Sequence, residues 1–269
     1  MKSNTLFLVS IVSVISIISI NATAQSATNP FTSRMYFAWG YNKDSYSKST
    51  IHISQPSLGN NYELKNISGN DKIGWDKLFQ HPLTIPQYNY RFGFFLKNHP
   101  SVGFEFSFDH VKYQLTPGQT ANWVGTVNNQ VINTNIVIQD NYFFWKLNNG
   151  ANFFCFNIMK RYYITGSANG KLKLFNLFKA GAGPTVPHVE NTLMGNNNKP
   201  HFQLGGWNTA LEATYRLEIG NYFYFDLANK FDYARYFGLR VYNGTAKQSF
   251  FTYEVIGTLG IMLPYKKST

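Results

Sequence analysis

Leu211-Glu212-Ala213-Thr214-Tyr215-Arg216-Leu217-Glu218-Ile219 alternates strictly between apolar and polar side chains. That is the period of an extended strand with two different environments on its two faces. The alternation resumes directly after Gly220-Asn221. Phe223, Phe225, Leu227 and Phe231 share one face of the next run, and Tyr224, Asp226, Lys230 and Asp232 share the other. A turn as short as Gly-Asn between two such runs reads as a β-hairpin. One of its faces is continuously apolar, and the other carries charge at nearly every position.

The same pattern extends in both directions along the chain. Phe104, Phe106 and Phe108 oppose Glu105, Ser107 and Asp109. Tyr90, Phe92, Phe94 and Leu96 leave Arg91 on the other side, and Phe251, Tyr253, Val255, Leu259 and Ile261 leave Thr252, Glu254 and Thr258. Eight strands are predicted, over 33–43, 87–97, 102–115, 138–165, 171–184, 204–219, 222–234 and 249–263. Asn148-Asn149-Gly150 interrupts the fourth and could be a hairpin turn, which would make ten strands. The connections between the eight alternate long and short, with 44–86, 116–137, 185–203 and 235–248 long. Within the first long connection, 49–54 and 61–67 are themselves strand-like and predict a hairpin standing above the rest.

Strict long–short alternation with an even strand number is the layout of a transmembrane β-barrel, whose termini and short turns share one side of the membrane. The composition agrees. The chain of 269 residues is 17% aromatic, with 24 Phe and 18 Tyr, and only 14% charged, against about 25% charged in soluble domains. No stretch is long and apolar enough for a spanning helix beyond the first residues. There, Lys2, the apolar run 6–20 and Ala22-Thr23-Ala24 read as a cleaved signal peptide over 1–24. The expected architecture is therefore an all-β, single antiparallel up-and-down barrel over 25–269, exported to the outer membrane of a Gram-negative bacterium.

The polar faces define the candidate site. Arg91, Glu105, Asp109, Glu212, Arg216, Glu218, Asp226, Lys230, Asp232 and Glu254 are expected to line the lumen. About eight strands enclose a space only wide enough for side chains, so these charges have to pair with one another. Three bases against seven acids leave two readings open: a polar structural plug, or a narrow acid-lined cation path. With so many acids assigned to the lumen, the net charge of +11 falls to loops and rims, at Lys43, Lys48, Lys65, Lys72, Lys77, Lys160, Arg161, Lys199, Arg235, Arg240 and Lys247. Outer-membrane lipid and lipopolysaccharide phosphates are the matching partners, with an envelope or extracellular protein as a further partner for the long loops. Nucleic acid is not expected.

The runs Met35-Tyr36-Phe37-Ala38-Trp39-Gly40-Tyr41-Asn42, Ile85-Pro86-Gln87-Tyr88-Asn89-Tyr90-Arg91-Phe92-Gly93, Phe108-Asp109-His110-Val111-Lys112-Tyr113 and Lys179-Ala180-Gly181-Ala182-Gly183-Pro184 resemble small outer-membrane β-barrel proteins of the Bacteroidota type. A more distant similarity runs to lipid A deacylase barrels, whose strand-borne His-x-Ser-Asn supplies a base and a nucleophile. Here the corresponding segment is Lys146-Leu147-Asn148-Asn149-Gly150, which has neither. Ser107, Asp109 and His110 cannot form a triad on one strand, because His110 faces away from the other two. The single Cys155 and six unclustered His give no metal-ligating pattern. No catalytic residue and no cofactor are expected. The functional classes are a closed structural or surface-interaction barrel, a small-solute or cation channel, and, third, a lipid-modifying enzyme.

Overall fold

The computed structural model describes residues 30–32, 34–80, 86–147 and 150–264; the expected signal peptide 1–24 and the Asn148-Asn149 interruption lie outside them. The first strands are β1 (Arg34–Tyr46), β2 (Ser49–Gln55), β3 (Asn60–Ile67), β4 (Gly69–Asp71), β5 (Tyr88–Phe95) and β6 (Val102–Asp109). They are followed by β7 (Tyr113–Leu115), β8 (Thr120–Val127), β9 (Gln130–Val137), β10 (Phe143–Leu147), β11 (Phe153–Gly166) and β12 (Leu172–Thr185). The last are β13 (His188–Leu193), β14 (Asn196–Asn197), β15 (His201–Phe202), β16 (Gly206–Ile219), β17 (Phe223–Val241) and β18 (Gly244–Pro264).

Eight strands form the barrel, in the order β1-β5-β6-β11-β12-β16-β17-β18, and β18 pairs back onto β1 to close the ring. Every neighbouring pair is antiparallel. The expected fold class is borne out, and the strand number is eight rather than ten. The alternation read from sequence separates the two faces: Phe223, Phe225, Leu227 and Phe231 are exposed, while Tyr224, Asp226, Lys230 and Asp232 are buried. Large apolar side chains turn outward all round the ring, Leu211 and Leu259 each with 66% of their surface free. Aromatic side chains also meet on the outward face, Trp39 against Tyr41, Trp207 against Tyr233, and Phe231 against Tyr253. An apolar, aromatic-rich wall is what a transmembrane barrel presents to lipid.

The connections depart from expectation. Those at the end shared with the termini are short turns, but the long ones at the far end are largely strand. β2 follows β1 after Ser47-Lys48 and pairs with the far half of β18, so β1 and β2 run as one bent strand beside it. β2 and β3 form the expected hairpin, and β8 and β9 extend that sheet further. The expected long loop 235–248 is in fact the continuation of β17 and β18, which run on to a turn at Tyr242-Asn243. A β-bulge at Phe237-Gly238, with Gly238 at φ 64, shifts the register there. It displaces the alternation by one residue, and that displacement hid the strand in the sequence pattern.

The expected fourth strand 138–165 is two elements. β11 belongs to the barrel, whereas β10 joins a second sheet, β14-β13-β10-β7-β4 with β15 beside β13. This sheet packs on the extended strands and encloses an apolar core that includes Ile53, Tyr62, Tyr113, Trp145, Val189, Leu239 and Phe250. The barrel thus carries a cap with a core of its own, where the sequence suggested a single barrel with loops.

Inside the ring, bulky side chains lie over glycines of the neighbouring strand. A Cβ at Gly260 would collide with the Tyr224 ring, whereas one at Gly257 would meet open space. Gly260→Val is expected to lower the thermal unfolding midpoint of the refolded barrel by several degrees, with Gly257→Val close to wild type; circular dichroism melts in detergent check the contrast.

Candidate functional site

The structure brings all ten expected lumen residues inside the ring, each of them buried. Three cations join them that the sequence reading does not assign to the interior, Lys179, Arg161 and Arg34. The sequence reading places Arg161 on a rim. It lies inward on β11, where its guanidinium bonds to Glu218 at 3.1 Å and to the carbonyl oxygens of Pro100 and Thr32. The inward faces near the turns, Phe175 and Leu177 on β12 and Met159 on β11, are as apolar as the outward ones. Alternation therefore gave no sign of which way these two strands face.

The charges are arranged in layers. Nearest the turns, Arg216 makes a two-pronged pair with Asp226, 2.8 Å on both arms. Its guanidinium packs against the rings of Tyr36 and Tyr224, 4.3 and 4.0 Å from their centroids, and the two rings meet each other edge to face. Arg161 stacks on Phe95 at 3.8 Å and on Phe175 at 5.0 Å. Planar guanidinium suits both contacts at once, as an ammonium would not. Together with Met159, Leu177 and Met262 these rings fill the turn end of the lumen.

In the middle layer, Lys179 bridges Glu105 and Glu212, each at 2.8 Å. Arg91 touches Asp109 at 2.6 Å, with Glu212 at 3.7 Å and Glu105 at 3.8 Å. The Tyr36 hydroxyl donates to Glu105 at 2.6 Å. Strand register explains the closeness: Asp44, Glu254, Lys230, Glu212 and Lys179 stand directly opposite one another on five successive strands, β1, β18, β17, β16 and β12. Facing side chains on neighbouring strands are within reach of each other.

Toward the cap, acids outnumber bases. Lys230 lies 2.7 Å from Asp109, 3.2 Å from Glu254 and 3.3 Å from Asp232, the first a hydrogen bond and the other two ionic contacts without hydrogen-bond alignment. Asp44 faces Glu254 directly and is buried as well. Asn42 donates to both oxygens of Asp44, at 3.0 and 3.2 Å.

Above this layer the cap closes over the barrel. Phe153, Tyr236 and Phe250 are buried, Tyr113 stacks on Phe250 at 4.8 Å, and Trp145 donates to Gln248 at 2.9 Å. At the junction of barrel and cap, His110 lies beyond the end of β6, stacked on Tyr88 at 4.6 Å and 2.9 Å from Asn152. Asn152 donates its amide to the Val186 carbonyl, so its oxygen faces the imidazole and Nδ1 of His110 carries the proton. Burial pushes the His110 pKa down to about 4, only partly offset by the bond to Asn152. Nearby, burial raises Asp71 to about 6 even though it accepts from the Asp44 backbone.

The first residues of the segment that could correspond to the deacylase motif, Lys146 and Leu147, are not on the outward wall of the barrel. Lys146 stands in β10 of the cap sheet, paired with Glu190 at 2.9 Å. Ser107 and Asp109 point into the lumen, and His110 is engaged by Asn152 instead.

The geometry defines a closed, capped eight-stranded β-barrel with a charged interior. No protein-family model matches the sequence, and no curated protein matches it. Among solved structures it is similar to the outer membrane protein AlkL, at 10% identity and a TM-score of 0.37, covering 93% of this chain and 99% of that one. It is also similar to the outer membrane protein OprG from Pseudomonas aeruginosa, at 13% identity and 0.35, covering 87% and 95%. Neisserial surface protein A is a third, at 9% and 0.34, covering 84% and 96%. These are likenesses of strand layout.

Two outcomes follow from the ion pairs and the imidazole. Lys230→Met leaves Asp109, Asp232 and Glu254 short of a buried counter-charge and is expected to cost about 3–5 kcal/mol of barrel stability. Lys247→Met, on the exposed face of β18, stays within about 0.5 kcal/mol; urea titrations of the two variants compare them. For His110 the folded form holds its proton less tightly than the unfolded chain, so its contribution is complete above the unfolded pKa and lost as pH falls from about 6.5 toward about 4. Amide exchange around His110 and Asn152 should accelerate across that window once corrected for intrinsic pH dependence. His110→Gln should remove most of the change.

Proposed function

We propose that this chain is an outer-membrane barrel of a Gram-negative envelope, exported by its N-terminal signal, with a closed lumen and a cap that presents its working surface. The observation that carries the reading is the filling of the ring. A layered network of buried ion pairs is bounded by aromatic rings around Arg161 and Arg216 at the turn end and by the cap core at the other. A conducting path needs solvated charge along its length, and these charges are in contact with protein instead.

The cap half carries exposed cations, Lys43, Lys48, Lys65, Lys72, Arg235, Arg240 and Lys247. They lie toward the cap end of the wall or on the cap itself, where lipopolysaccharide phosphates would lie, so anionic headgroups are the proposed lipid partners. A protein of the envelope or of the outside is the proposed partner for the cap surface. No catalytic constellation is assigned.

One observation favours a second reading. The carboxylates Asp44, Asp232 and Glu254 exceed the bases around them at the cap end, which is what a cation path would use. Planar-bilayer recording of the refolded, signal-less barrel separates the two. The closed reading expects background conductance from a barrel that shows heat-modifiable migration. Steady cation-selective openings that change in Glu254→Gln would replace it with the channel.

A further inference from the structure

The outward wall of β5, β6 and β11 is not smooth. Two rungs of the sheet, Phe92–Phe106–Phe156 and Phe94–Phe104–Ile158, enclose a groove of about 410 Å³. Glu105 and Asn157 also border it, but their side chains turn into the lumen, so the groove meets their backbone. The outermost members remain open to the surroundings, Phe156 with 66% and Ile158 with 62% of their surface free. The neighbouring rings lean on one another, Phe94 against Phe104 at 5.7 Å and Phe106 against Phe156 at 5.3 Å, which leaves the space between the two rungs unfilled.

The next rung toward the turns ends in a cation. Lys160 is paired with Val102, faces outward in line with Phe156 and Ile158, and lies 5.3 Å from the Tyr162 ring centroid. It is level with the turn between β5 and β6, since the following residue, Arg161, donates its backbone N–H to Ser101. Four residues of strand separate Lys160 from Phe156, about 13 Å at ~3.3 Å per residue. A strand tilt of about 35–45° turns that length into roughly 10 Å of depth, which lies within one leaflet of a hydrocarbon core about 30 Å thick. A cation at headgroup level with an apolar trough running inward from it matches one amphiphile, an anionic head on an acyl chain.

We infer that this groove is a binding site for a glycerophospholipid, with an acyl chain between the two aromatic rungs and its phosphate on the Lys160 ammonium. The turn end of the barrel faces the phospholipid leaflet under the orientation proposed above, and this inference rests on that reading. The site differs from the exposed cations of the cap, which lie at the opposite end of the wall. Burial of chain methylenes in the groove supplies affinity, and the lysine selects the head and fixes the depth.

The test uses the full mature chain refolded in detergent, mixed with palmitoyl-oleoyl-phosphatidylglycerol and analysed by native mass spectrometry. Wild type is expected to retain one lipid per barrel. Lys160→Gln should reduce retention about tenfold, which is ~1.4 kcal/mol. Ile158→Trp, which fills the trough from an outward position, should do the same, while Leu211→Trp, outside the groove, should match wild type. Equal retention by wild type, Lys160→Gln and Ile158→Trp overturns the inference, as does a wild-type barrel that retains no lipid. Insertion into phosphatidylglycerol vesicles, read by heat-modifiable migration, tests the membrane reading on its own. A barrel that inserts but retains no lipid overturns the site alone, and one that fails to insert overturns both.

Discussion

The width of an eight-stranded ring governs nearly everything inside this molecule. Such a ring has room for side chains but not for a column of water around them, so each inward charge has to be met by another residue of the chain. Lys179 between Glu105 and Glu212, and Arg216 between Asp226 and two tyrosine rings, are the solutions at two levels. Replacing such pairs with apolar residues can be neutral or stabilising in other proteins. Their physical effect here is to tie together strands that are distant in the ring. Lys230 of β17 reaches Asp109 of β6, and Lys179 of β12 reaches Glu105 of β6. These contacts cross the lumen and brace the cylinder from within, which hydrogen bonds between neighbouring strands cannot do.

The same alternation that puts these charges inside made most of the fold legible in the sequence. Where the two faces differ in polarity, as on β16 and β17, each residue's side of the wall could be read directly. Where they do not, the reading failed for a physical reason. β11 and β12 are apolar on both faces near the turns, because the lumen there is plugged by Phe175, Leu177 and Met159. The sequence therefore puts Arg161 on a rim and gives Lys179 no place, although both complete the ion network. At the far end a single bulge at Gly238 shifts the alternation by one residue, so the strand that continues through it has the sequence pattern of a loop.

The cap was hardest to foresee because its signals are local and its partners remote. The β8–β9 hairpin is well encoded, with Asn128 and Asn129 at φ 49 and 63, as a two-residue turn with both central residues left-handed requires. Yet that hairpin adds to β3, some sixty residues earlier, and β10 pairs with β13 some forty residues later. Periodicity reports which face of a strand is buried, and says nothing of which strand lies beside it.

How the cap is attached bears on what it can do. β17 and β18 run without interruption from the barrel wall into the cap, where the same two strands supply Leu239, Val241, Ala246 and Phe250 to its core. β2 continues the line of β1 alongside them. Lifting the cap would therefore mean breaking ladder hydrogen bonds that are continuous with the barrel and exposing an apolar core, whereas an ordinary lid moves on a loop hinge with few buried contacts. A surface built on strands that the barrel holds in place is suited to presenting a fixed shape. The charged interior below it then serves the same end, since it makes rigid the cylinder on which that surface stands.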